Sequence, residues 1–134
     1  MSIINYLQSK FLKKSLPKQQ VDMNVTWHDY IRQTWGHSID LSNFKGTDQN
    51  GVAFQKSFRC NGFGPLFSGR LLDNDIIVVK MASGYVGVFE VWNVKYNRDP
   101  RDLWFADAKW LGYPRPNNAQ VPMTVIEYYE WQRV

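Results

Sequence analysis

Two histidines, one cysteine and a loose set of aspartates are the groups in this 134-residue chain with which bonds could be made or broken, so their spacing comes first. His28 and His37 stand nine residues apart, on either side of an apolar segment, and miss the four-residue spacing that puts two imidazoles on one helical face around zinc. Neither is read as a metal ligand; one reads as a partly buried ring and the other as an exposed one. Asp73, Asp75, Asp99, Asp102 and Asp107 form the only concentration of carboxylates. Paired carboxylates hydrolyse glycosides or hold divalent metals, but Arg98 and Arg101 stand among these, and solvated turn charges are the plainer reading. The DND run at 73–75 resembles part of a calcium loop yet lacks its glycine and closing glutamate. Cys60 becomes a nucleophile only with a histidine beside it in space; otherwise it is a buried structural thiol at a strand end. Serine and threonine occur without the GxSxG elbow of acyl transfer. A histidine brought beside Cys60 or an aspartate in an enclosed hollow would restore a catalytic reading.

The elements that would position these groups follow from pattern. With 44% hydrophobic and 16% aromatic residues, the chain builds one core, and one domain is expected over 21–134. Residues 3–16, IINYLQSKFLKKSL, place Ile3, Ile4, Leu7 and Phe11 on one helical face and Lys10, Lys13 and Lys14 towards the other. This predicts an amphipathic basic arm over 1–20, ended by Pro17. Thr26 and Asp29 resemble a capping arrangement, and Trp27, Tyr30, Ile31 and Trp35 share a helical face, predicting a second short helix over about 26–36.

From Ile39 onward, strands and turns are expected. Asn50 and Gly51 signal a hairpin turn, and AFQKSFRC, 53–60, reads as a strand. The Gly-rich segment 61–69, NGFGPLFSG, lacks a following Lys-Ser or Lys-Thr pair, so it reads as a bend anchored by Phe63 and Phe67 and not as a phosphate loop. IIVVKM implies burial on both faces, Ser83 and Gly84 turn the chain, and YVGVFEVWNVKY returns as a long strand with Gly87 as its expected bulge or bend. LWFADAKWLGY alternates Trp104, Ala106, Ala108 and Trp110 against Phe105, Asp107, Lys109 and Leu111, and VPMTVIEYYEWQRV reads as a last strand. The expected class is mainly β: a small antiparallel barrel or sandwich of five to six strands, preceded by two short N-terminal helices.

Charge and cysteine usage narrow the function. A single cysteine excludes an internal disulfide and a thiolate zinc site and points to a reducing compartment. No signal-peptide pattern opens the chain and no run reaches membrane-span length, so a soluble, non-secreted protein is expected. Four of the 16 basic residues lie in 1–20, leaving 12 against 12 acidic residues in the body. A formally neutral body weakens nucleic-acid binding, as does a net charge of minus one over 71–113. Small barrels nonetheless bind single strands on aromatic rings, for which Tyr85, Trp92, Trp104 and Trp110 are the candidates.

The turn LLDND followed by IIVVKMASGYVGVFEV resembles the small β-barrel structural proteins of tailed bacteriophages, over residues 70–113. The resemblance implies a virion component, such as a capsid decoration or cement protein, a connector or a tail subunit, that binds neighbouring copies and shell proteins. No motif fixes family residues for transfer. The leading expectation is therefore a non-enzymatic assembly protein without cofactor or metal. It would be located in the virion or otherwise the cytoplasm, and would bind other protein subunits or itself through Ile3, Ile4, Leu7, Phe11, Lys10, Lys13 and Lys14. Single-stranded nucleic-acid binding is the alternative, and hydrolysis by the aspartate cluster the third reading.

Overall fold

The computed structural model describes residues 25–32, 39–115 and 118–133. Among them, β1 (Trp27–Asp29), β2 (Ile39–Asp40), β3 (Phe58–Phe63), β4 (Ile76–Lys80), β5 (Val86–Tyr96) and β6 (Leu103–Gly112) form one sheet, and α1 (Val125–Arg133) follows it. The strand order is β1-β4-β5-β6-β3-β2. The mainly β class agrees with the sequence reading; the sheet is a six-stranded mixed half-barrel, with β1 and β2 falling where a helix and a polar loop were expected.

Three expectations are corrected. Residues 27–29 are strand, not helix, and they pair parallel to β4, Trp27 against Ile76 through Asp29 against Val78, so the sheet is not purely antiparallel. Residues 125–133 are helix, not strand. The capping box at its start explains why: the Glu127 N–H donates to Thr124 Oγ1 and the Thr124 N–H to Glu127 Oε1, each at 3.1 Å. Those donors and Arg115 hold the Glu127 carboxyl below its ordinary pKa. The first expected helix, 3–16, and the end of the second lie outside the described residues.

β4 is apolar from Ile76 to Val79 because it has a core on each side. Ile77 and Val79 join Phe58, Phe89, Trp104 and Trp110, while Ile76 and Val78 join Val86, Val88, Leu111, Met123 and Tyr128 beneath α1. Tyr30 identifies the concave face. It follows β1, yet its hydroxyl donates to Phe63 O on β3 and accepts from Trp104 Nε1, both at 3.0 Å. β4, β5 and β6 lie between those two strands in the sheet, so the sheet must curl around Tyr30.

The alternation expected along β6 holds, with Trp104, Ala106, Ala108 and Trp110 all buried on the concave face. Gly62 lets β3 approach it: a Cβ there would lie 2.8 Å from the Trp104 ring. Gly87 likewise serves close packing, since a Cβ would meet Met81 Sδ and Trp110 Cζ3 at 2.8 Å each. The bends in β5 fall elsewhere than expected, between Val88 and Phe89 and between Trp92 and Lys95, where Asn93 adopts a φ of 53°. β3 begins at Phe58, later than the 53–60 reading, and runs into the Gly-rich segment.

Candidate functional site

The aspartates do not act as one group. Asp75 is 2% exposed, and the turn expected to carry solvated charge instead buries it beside a fully buried His28. Asp75 Oδ2 accepts from His28 Nε2 at 2.7 Å and from the Leu72 N–H at 2.9 Å, and Oδ1 accepts from the Thr26 N–H at 3.2 Å. A carboxylate only accepts, so Nε2 carries the ring proton, and Nδ1 faces the Ser68 hydroxyl at 2.5 Å.

Serine, histidine and aspartate are thus in line, the neighbourhood that sequence spacing did not disclose. The line crosses the interior, from the 61–69 segment through β1 to the turn before β4. None of the clefts below includes Ser68, His28 or Asp75 in its lining. The line ties β1 to β4, with His28 and Asp75 buried and Ser68 partly exposed at its end.

Asp107 lies on β6 and not in a turn, meeting Arg59 at 3.4 Å and the Asn93 amide at 2.9 Å. Asp73 accepts the Val94 N–H. Cys60 is buried within β3, and burial pushes its thiol up to about 12, away from nucleophilic use. No group of three or more potential ligands among the described residues could hold a metal ion. His37 lies outside them.

One concavity open to solvent lies at the end of the half-barrel where β4 and β6 finish. It is a cleft of about 580 Å³, with Val79, Met81, Trp110 and Tyr113 among its lining and the segment after β2, including Leu41 and Phe44, opposite. The Phe44 N–H donates to Leu41 O, and the Phe44 ring stacks on Trp110 at 5.7 Å and 24° while meeting Phe89 edge-on at 5.1 Å. Trp110 is fixed on its other side by donation from Nε1 to Gly51 O at 2.8 Å. Three of the lining residues are thus aromatic rings packed on one another, with Trp110 itself buried. Lys45 and Lys80 also line the cleft, with Thr47 and Ser83, and no carboxylate does.

That charge separation follows from strand direction. β4 and β6 both run towards the cleft, whereas Asp73, Asp75, Asp99 and Asp102 precede those strands and therefore lie at the opposite end. Glu90 is on β5, paired with Lys109 at 3.3 Å.

The four rings singled out as nucleic-acid contacts separate. Tyr85 is partly exposed and reaches the cleft through Tyr113, with ring centroids 6.2 Å apart, and Tyr113 meets Trp110 at 5.2 Å. Trp104 is wholly inside, hydrogen-bonded to Tyr30, and Trp92 sits further along β5. Phe44, Lys45, Lys80 and Tyr113 were not singled out; the first two belong to a segment read as loop and the other two to the ends of expected strands. Their signal, an aromatic next to a lysine at 44–45, is too common to act on alone. The seven arm residues, Ile3, Ile4, Leu7, Phe11, Lys10, Lys13 and Lys14, lie outside the described residues.

Two smaller clefts flank the sheet. One, of about 400 Å³, shares Trp110 with the first and adds Phe54, Lys56 and Lys109. The other, of about 520 Å³, joins Gly64 and Gly69 of the Gly-rich segment to Arg70, Tyr96, Arg101 and Asp102. There the Arg70 guanidinium lies 3.7 Å over the Tyr96 ring, and Tyr96 donates to Gly64 O at 2.7 Å. These contacts anchor the bend. Phe67, expected to do so, is largely exposed under Arg32. Compared with known proteins, the chain matches no described family, no curated protein and no solved structure. Among the described residues no helix is long and apolar enough to cross a membrane.

Proposed function

We propose that this protein binds single-stranded nucleic acid, taking one base into the aromatic cleft at the open end of the half-barrel. The observation that carries the reading is the composition of that lining: the partly exposed rings of Phe44 and Tyr113, packed on a buried Trp110, with Lys45 and Lys80 and no carboxylate. Aromatic faces attract any base, at about 1–3 kcal/mol per stacked base, and lysines at the cleft meet the phosphate that accompanies it. The cleft's volume, about 580 Å³, falls within the roughly 300–1,000 Å³ typical of sites that enclose small organic groups. A neutral body is no obstacle when the positive charge is local, because the relevant field is that at the groove. The proposed action is binding, with no bond-making step.

The test is fluorescence anisotropy with end-labelled single strands of DNA and RNA over a range of salt. Wild type should bind, and the double reversal Lys45→Glu/Lys80→Glu should weaken binding and flatten the slope of log affinity against log salt by about 1.4, from roughly 0.7 per phosphate contact on single strands. Equal affinity and slope in the two proteins would refute the assignment.

A second reading, subunit assembly with a virion location, draws on one observation. Leu66, Phe67 and Leu72 are exposed apolar residues clustered in one connecting stretch, the kind of surface a neighbouring protein covers. Native mass measured alone and with nucleic acid separates the two: multimers without salt-sensitive binding favour assembly.

A further inference from the structure

The 46–54 hairpin stands between two clefts and presents an aromatic ring to solvent on the far side. Backbone contacts close it: Asp48 and Val52 are joined by the Asp48 N–H to Val52 O bond at 2.8 Å, the Phe54 N–H donates to Gly46 O at 3.1 Å, and Thr47 bridges to Ala53. Gly51, at a φ of 81°, closes the turn that Trp110 Nε1 grips. Alternation does the rest. Ala53 packs inward, so Val52 and Phe54 face outward and remain 50% and 66% exposed.

Phe54 lines the smaller cleft with Lys56, Lys109 and a largely buried Trp110, and again no carboxylate contributes. Asp48, the hairpin's own carboxylate, is occupied by the N–H groups of Asn50 and Val52 at 2.7 and 3.0 Å. Lys109 shares Glu90, whereas Lys56 forms no ion pair among the described residues.

We propose that this smaller cleft is a second nucleotide subsite: a strand with one base in the main cleft crosses the hairpin, stacks the neighbouring base on Phe54 and sets its phosphate against Lys56. This rests on the nucleic-acid reading of the main cleft. Continuity supports it, since Trp110 is common to both linings, and so does charge, since both linings are basic without acid. The partner is therefore a strand of at least two nucleotides and not a free nucleotide.

Phe54→Ala tests it with two labelled probes, a nucleoside 5′-monophosphate and an eight-nucleotide single strand. Because the side chain is exposed, the variant should keep the wild-type melting curve. It should weaken the eight-nucleotide strand by about 5- to 150-fold, one lost stacking contact, and leave the mononucleotide unchanged. Phe54→Trp should restore strand binding. Unchanged strand affinity in Phe54→Ala, or equal loss for both probes, overturns the second subsite while the main cleft stands. If wild type binds neither probe, the main-cleft reading falls and the subsite with it.

Discussion

Replacing Asp75 with alanine removes one small side chain and leaves three donors without their acceptor. The Nε2–H of His28 is fully buried and cannot be rehydrated, and hydrogen bonds to charged groups contribute about 1.5–3 kcal/mol. The N–H groups of Leu72 and Thr26 are only partly buried, and losing their bonds costs about 0.5–1.5 kcal/mol each. The expected loss is about 3–5 kcal/mol, the range found when one member of a buried pair is removed. Against a total stability of roughly 5–15 kcal/mol this is large. Urea unfolding followed by tryptophan fluorescence should show a midpoint roughly 2 M lower, for a slope of about 2 kcal/mol/M. Asp73→Ala is the internal control, since Asp73 accepts the exposed-side Val94 N–H and should cost about 1 kcal/mol. The double variant His28→Ala/Asp75→Ala should lose less than the two single losses combined, because each partner's value depends on the other. If Asp75→Ala and Asp73→Ala cost the same, the line from Ser68 to Asp75 does not hold β1 in place and the reasoning fails.

Two other consequences concern the cleft floor and the thiol. Gly87→Ala should destabilise by about 1–3 kcal/mol, because its new methyl would press on Trp110 and Met81, and the same substitution should weaken strand binding by displacing the Trp110 ring; wild-type melting and affinity together would refute the close packing. Cys60, with its pKa raised by burial to about 12, should label slowly with a thiol reagent at pH 8, where ~1 in 10⁴ folded molecules carries the thiolate, and labelling should speed up as urea opens the fold. A native labelling rate within about tenfold of the unfolded chain's would contradict that burial.

The features legible in sequence are those whose cause is local. The apolar run of β4 announced two-sided burial, and the alternation in β6 announced one buried face, because in each case the side chains carry the pattern themselves. The hairpin at Asn50 and Gly51 was equally plain. Residues 27–29 were not: Thr26 and Asp29 mimic a helix cap, while the partner that makes them a strand begins 49 residues later at Ile76. The same distance concealed His28, Asp75 and Ser68, which share no spacing motif. The C-terminal helix was a misweighted signal and not an absent one. Thr124 and Glu127 form a capping box in plain view, but the valines, tyrosines and tryptophan that follow favour strands, and tertiary packing of Tyr128 against β4 and β5 outweighed that preference. Burial there follows the helical period, with Ile126 71% exposed two residues before buried Tyr128.

A charge count along 71–113 adds groups that the fold places at opposite ends. Two parallel-running strands, β4 and β6, carry their leading turns and aspartates to one end and deliver Lys80, Trp110 and Tyr113 to the other. The cleft is thereby basic while the segment is acidic by one charge. A neutral body with a local pair of lysines has a distinct binding signature. Two phosphate contacts imply that affinity falls only about sevenfold between 50 and 200 mM salt, whereas a protein making six to ten contacts on duplex DNA loses roughly 10³- to 10⁵-fold. On the proposed reading, most of the affinity comes from stacking on Phe44 and Tyr113, both packed against Trp110. Preorganised rings lose little freedom on binding, so the cleft's rigidity, more than its charge, is what makes a small basic patch sufficient.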